Sequence, residues 1–190
     1  MKPLSGEDAQ EVIRNHIQFF STRLHFAEFD LATIRSLKAR HDPLHQVHYI
    51  TVLDTTGQPW RFTFLLKRKY GLWGAKTMDC SPEEKLDEPP ELVDCPWIRL
   101  TQHQMTQLQK NSEFYAFGEV FDKGYQIVRV CLLDGGELVL EDTVQDGIVL
   151  FNSEQEPVYP LQLELYNTSG TLVSRQTEWP GSARSVTKEI

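Results

Sequence analysis

Apolar residues recur at steps of three and four from Ala9 through Val12, Ile13, Ile17, Phe20, Leu24 and Ala27, the spacing of one helix face. Ser5 precedes the run as a candidate N-cap, with Glu7 and Asp8 in the first turn. Phe19, Phe26 and Phe29 widen the stripe. A second helical segment is expected from Asp30, carrying Leu31, Ile34 and Leu37 and stopped at His41-Asp42-Pro43. The period then changes to two. Val47, Tyr49, Ile50, Val52 and Leu53 read as a strand, and Asp54 to Pro59 as a turn. Trp60, Phe62, Phe64 and Leu66 alternate with Arg61, Thr63, Leu65 and Lys67, so the large rings share one sheet face. Leu72 to Met78 is a third strand after the turn at Tyr70-Gly71.

Beyond residue 100 a short helix is predicted over Thr101–Lys110, anchored by Met105 and Leu108. Short β-branched runs then alternate with turn signals. Strands are predicted over 114–121, 125–133, 137–144, 148–151, 160–166 and 171–177. The polar tail after Trp179-Pro180-Gly181 is expected to fray.

Charge adds a boundary. Residues 1–79 carry 11 Lys and Arg against 8 Asp and Glu, residues 80–98 carry 1 against 6, and residues 99–190 carry 7 against 13. The acidic stretch holds four prolines, which does not suit a core, so it reads as a linker or long loop. The expected organisation is therefore a helix-plus-sheet unit over 1–79, a linker over 80–98 and a β-sandwich over 99–190. The fold class is α+β. The order of helix then antiparallel meander resembles the cystatin-like and NTF2-like plan, and the run of short strands resembles immunoglobulin-like sandwiches. Both resemblances concern element order alone and specify no function.

The totals exclude some roles. A net charge of −8 disfavours nucleic acid as a whole-molecule partner. No apolar run approaches the ~20 residues of a membrane helix, and no apolar leader follows Met1, so no membrane is expected. Three cysteines, Cys80, Cys95 and Cys131, cannot all pair within one chain, and reduced thiols in a cytoplasm are the natural reading. Asn167-Thr168-Ser169 matches a glycosylation acceptor, which has no meaning in that compartment.

Candidate chemistry is sparse. His41-Asp42-x2-His45-x2-His48 offers ligand types at short spacing, but Pro43 removes the helical geometry that makes paired histidines chelate. The cysteines form no close pairs, and acids around Cys80 and Cys95 oppose thiolate formation. Phosphate-cradle and nucleophile-elbow motifs are absent. No catalytic residue, metal ligand or cofactor is assigned. What stands out is a basic and aromatic hairpin: Arg61, Lys67, Arg68, Lys69, Tyr70, Trp73 and Lys76. Cations among exposed rings suit an acidic protein surface or single-stranded nucleic acid. The same lysines could guard a sheet edge, Trp73 could lie in the core, and the acidic run could neutralise the patch.

The expected function is accordingly a non-enzymatic cytoplasmic binding or adaptor protein with a protein partner. A ligand-binding or enzymatic cone lined by Phe20, Phe62, Phe64 and Tyr49, with His16 or His48 pointing into it, is the second expectation. Nucleic-acid binding through the hairpin is the third.

Overall fold

The computed structural model describes residues 4–24, 27–82, 94–104, 114–153, 160–178 and 184–188. Among these it is mostly β, with one short helix and curled antiparallel sheets. Among the described residues no helix is long and apolar enough to cross a membrane. The chain divides into two compact units, Met1–Glu88 and Pro89–Ile190.

In the first unit the strand β1 (Ser5–Gly6) leads into the helix α1 (Ala9–Leu24). Four strands follow: β2 (Phe29–His41), β3 (His45–Asp54), β4 (Pro59–Lys69) and β5 (Leu72–Pro82). They form one antiparallel sheet in the order β1-β5-β4-β3-β2. Ser5 is not the helix cap. It pairs with Gly74 as part of β1, and the Oδ1 of Asp8 accepts the Gln10 N–H at 2.9 Å instead. Ala9, Val12, Ile13 and Ile17 are buried against Ile50, Val52, Trp60, Phe62, Phe64, Leu66 and Trp73. Large side chains of this kind stabilise by roughly 1.5–3 kcal/mol each when fully buried.

The second helix expected from Asp30 is a strand. Asp30 does not cap; its Oδ1 accepts the Ala32 N–H at 3.0 Å and its carbonyl accepts the Thr33 hydroxyl at 2.7 Å. The β2–β3 register jumps from Asp30 opposite Leu53 to Arg35 opposite Thr51, and again between Ser36 and Lys38. Leu31 and Ile34 lie within the first irregularity and pack on the core, while Leu37 is the extra, exposed residue of the second. Bulges thus convert a strand period of two into an apparent period of three.

In the second unit the strands are β6 (Trp97–Gln104), β7 (Phe114–Phe121), β8 (Ile127–Asp134), β9 (Glu137–Thr143), β10 (Ile148–Ser153), β11 (Leu161–Asn167), β12 (Leu172–Glu178) and β13 (Arg184–Lys188). They form a three-stranded sheet, β10-β7-β6, and a five-stranded sheet, β13-β12-β11-β8-β9. Both contribute to one core that includes Ile98, Phe114, Val130, Leu132, Phe151, Leu163 and Leu165. Side chains stitch the two sheets together. The Gln176 amide meets both backbone groups of Ile98, its Oε1 accepting the N–H at 2.9 Å and its Nε2 donating to the carbonyl at 2.7 Å. The Ser174 hydroxyl donates to the Pro96 carbonyl at 2.8 Å. At the other seam the Asp142 carboxylate accepts the Leu150 N–H at 2.7 Å.

Two further expectations are corrected here. Thr101–Gln104 continues β6, paired with Phe117 to Phe114, rather than opening a helix; residues 105–110 lie outside the described residues. Arg184–Lys188 is not a frayed tail but pairs with β12 from Glu178 to Ser174. Of the stretch 80–98 read as a linker, Cys80 to Pro82 belong to β5 and Trp97-Ile98 to β6, with Cys95 and Pro96 buried. Residues 83–93 lie outside the described residues.

Candidate interaction surface

The β4–β5 hairpin closes with Lys69 opposite Leu72, Arg68 opposite Trp73 and Lys67 opposite Gly74. Its two linking residues are left-handed, Tyr70 at φ +53° and Gly71 at φ +82°. A two-residue link with both φ positive favours Asn, Asp or Gly first. Gly135-Gly136 at +58° and +89° and Asp146-Gly147 at +50° and +70° follow this, whereas the Lys123-Gly124 turn, at +55° and +86°, departs from it as Tyr70 does. A bulky ring in the left-handed region is an outlier that costs of order 1 kcal/mol. Burial does not offset that cost, because Tyr70 is 91% exposed.

Cations surround the ring. The Lys69 ammonium lies 5.3 Å from the Tyr70 ring centre, and the Arg68 guanidinium lies 5.6 Å from that of Trp73. Arg68 Nε also donates to the Gly71 carbonyl at 3.3 Å, which fixes it across the turn. The β2–β3 turn is tied to the same place. Asp42 Oδ1 accepts the N–H groups of Leu44 and His45 at 2.9 and 2.6 Å, and the Leu44 carbonyl accepts the Arg68 N–H at 2.7 Å. This sets Leu44, 56% exposed, beside the hairpin end, where Leu72 is 41% exposed. The hairpin end thus carries three exposed apolar side chains, Leu44, Tyr70 and Leu72, with the exposed Arg68 and Lys69 among them.

The predicted residues are only partly brought together. Arg68, Lys69 and Tyr70 meet at the tip, and Trp73 is buried beneath them as part of the core. Lys67 pairs with His45 on the sheet face away from α1. Arg61 stands near the other end of β4, buried, with its guanidinium 5.2 Å from the Tyr49 ring centre. Lys76 is the extra residue where the β4–β5 register shifts. The acidic run leaves β5 at Pro82, the end of the hairpin opposite the tip. Leu44 and Leu72 were missed. Their signal was an aliphatic residue next to turn residues, Pro43 in one case and Gly71 in the other.

The histidines of the 41–48 stretch divide between the two faces of the sheet. His45 faces away from α1, whereas His41 and His48 face it with ring centres 5.1 Å apart. His48 Nε2 lies 2.9 Å from Gln46 Oε1, and burial, then the nearby His41, push its imidazole down to about 4. Burial also lowers His16, against the opposing effect of a 3.1 Å contact with the Leu4 carbonyl. Among the described residues no three His, Cys, Asp or Glu side chains converge as a metal would require. No disulfide joins Cys80, Cys95 or Cys131, and burial pushes both Cys80 and Cys131 up. The residues expected to line a cone do not face one space. Phe20 meets Phe62 edge-on, Phe62 stacks on Phe64, and Tyr49 lies on the opposite sheet face.

On the second unit, Glu164 accepts Tyr166 Oη at 2.5 Å and Arg175 Nε at 2.8 Å, and Arg129 covers the Tyr166 ring at 4.4 Å. Burial of Glu164 opposes its ionisation, but the bonds from Tyr166 and Arg175 outweigh it and hold the carboxyl below its usual range. The bond to Glu164 pushes the Tyr166 phenol up to about 12. These groups answer one another across β8, β11 and β12, as a bracing ladder does. Compared with known proteins, the chain matches no family model, no curated protein and no solved structure.

Proposed function

We propose that this chain is a non-enzymatic binding or adaptor protein that docks a protein partner through the β4–β5 hairpin tip. The observation that carries the reading is Tyr70, a ring held in a strained, left-handed turn position and presented to solvent. Strain of this kind concentrates at functional positions. An exposed tyrosine flanked by aliphatic residues and cations has the composition of an interface anchor. The matching surface is acidic, with exposed apolar side chains to meet the ring. A cytoplasmic setting belongs to the same proposal and rests on the sequence. For the scaffold, α1 followed by a meander supports the cystatin-like or NTF2-like plan, and two sheets around one core support the immunoglobulin-like plan.

The test compares wild type with Tyr70→Ser and with Arg68→Glu/Lys69→Glu as baits in extract of the source cell. A partner retained by wild type at low salt, and lost with both variants at unchanged melting temperature, is the expected result. Retention by both variants would sink the reading.

A further inference from the structure

We infer that the acidic surface recognised by the hairpin tip is the β8–β9 hairpin of a second copy of this chain. The inference rests on the reading of the tip as a docking site and names its partner. Two hairpins of the chain are chemical opposites. At their ends the first carries the exposed cations Arg68 and Lys69, and the second the acids Asp134 and Glu137. Each also presents aliphatic surface. On β9, Leu138 is 57% exposed and Val139 41% exposed, beside the exposed Glu137 and Glu141.

Asp134 and Glu137 close the acidic hairpin around Gly135-Gly136 and stand directly opposite each other, so a docked cationic surface meets two carboxylates at one place. Glu141 is answered in part within its own molecule by Arg129 at 3.5 Å, so the contact is centred on Glu137, Leu138 and Val139. Tip-to-tip pairing is disfavoured because it would set Arg68 and Lys69 against their own copies. The contact is therefore between unlike surfaces, and such contacts extend into rings or open chains. Five apolar side chains make a small interface, so the association is weak and salt-sensitive.

The experiment is sedimentation velocity on the full chain over a concentration series, at low salt and at high salt. The variants are Arg68→Glu/Lys69→Glu, which puts acids at both hairpin ends, and Asp134→Lys/Glu137→Lys, which puts cations at both. A third variant, Leu138→Ser, changes no charge and guards against misfolding of the reversals; circular dichroism checks all three. Wild type is expected to sediment faster as concentration rises, with the rise abolished by high salt. Each reversal variant alone should stay monomeric, their mixture should form a complex, and Leu138→Ser should weaken the wild-type association. A monomeric wild type, or reversal variants that fail to combine when mixed, overturns the inference. If wild type is monomeric while Tyr70→Ser still loses a captured partner, the inference fails and the docking reading stands. If wild type is monomeric and Tyr70→Ser loses nothing, both fail.

Discussion

Tyr70 and His48 show how single residues can be set against the fold's own preferences. At Tyr70 the backbone asks for Asn or Gly and receives an aromatic ring. Tyr70→Asn should therefore stabilise the protein, by up to about 1 kcal/mol, read as a higher urea midpoint at unchanged m-value. A loss of stability would mean that the ring packs after all. His48 works in the other direction. Its imidazole is buried and held near 4 against an ordinary 6.5, so the folded state prefers the neutral ring. The unfolded chain takes up a proton at 6.5 and the folded chain only near 4. Stability is thus intact above 6.5 and falls as pH drops through that window. His16 is lowered too and adds the same sign. Urea midpoints measured between pH 7 and 4.5 should decline in wild type and decline less in His48→Leu; equal slopes would remove His48 from the account.

Hairpin turns were the most legible elements. Asp54-Thr55-Thr56-Gly57-Gln58 and Asn167-Thr168-Ser169-Gly170-Thr171 follow one pattern, [DN]-T-[ST]-G-x, and make one turn. In each, the first side-chain oxygen accepts the N–H groups two and four residues on, and the first N–H bonds the fifth carbonyl. Such Asx turns are local, so sequence suffices to find them. The two differ in their load. Asp54 Oδ2 also accepts the buried Trp60 indole N–H at 3.1 Å, and its bond from the Thr56 hydroxyl leads the effects that bring its carboxyl down to about 2, with burial opposing. Asp54→Asn should therefore lower the thermal midpoint, because an amide N–H₂ would then face the indole N–H. It should also abolish the loss of stability that wild type shows as pH falls from about 4 towards 2, the window of the lowered carboxyl. Asn167→Asp should leave the midpoint near that of wild type. Strand β2 was illegible for the converse reason. Its bulges are fixed by pairing with β3, and no local signal in Leu31, Ile34 and Leu37 separates a bulged strand from a helix. The tip was half legible: the cations and rings are adjacent in sequence, but alternation sent Arg61 and Lys67 to the other face, and Leu44 arrives from a different turn.

At the scale of the molecule, the second unit is held at its seams by side chains rather than by a continuous backbone ladder. Gln176 is buried and meets both polar groups of Ile98, and it also donates to Glu178. Gln176→Leu keeps the volume and strands two buried backbone groups, so a loss of roughly 2–4 kcal/mol is expected by urea unfolding. A change below about 0.5 kcal/mol, the range of exposed sites, would show that the seam carries no weight. These stitches have a consequence beyond stability. β6 and β10 are the margins of their sheet, and a margin with unmet N–H and C=O groups is a template for any other extended chain. One amide and one carboxylate meet such groups at one residue of each margin, Ile98 and Leu150. They act as chaperones built into the fold, and a variant that lacks them should reveal itself first in the pellet.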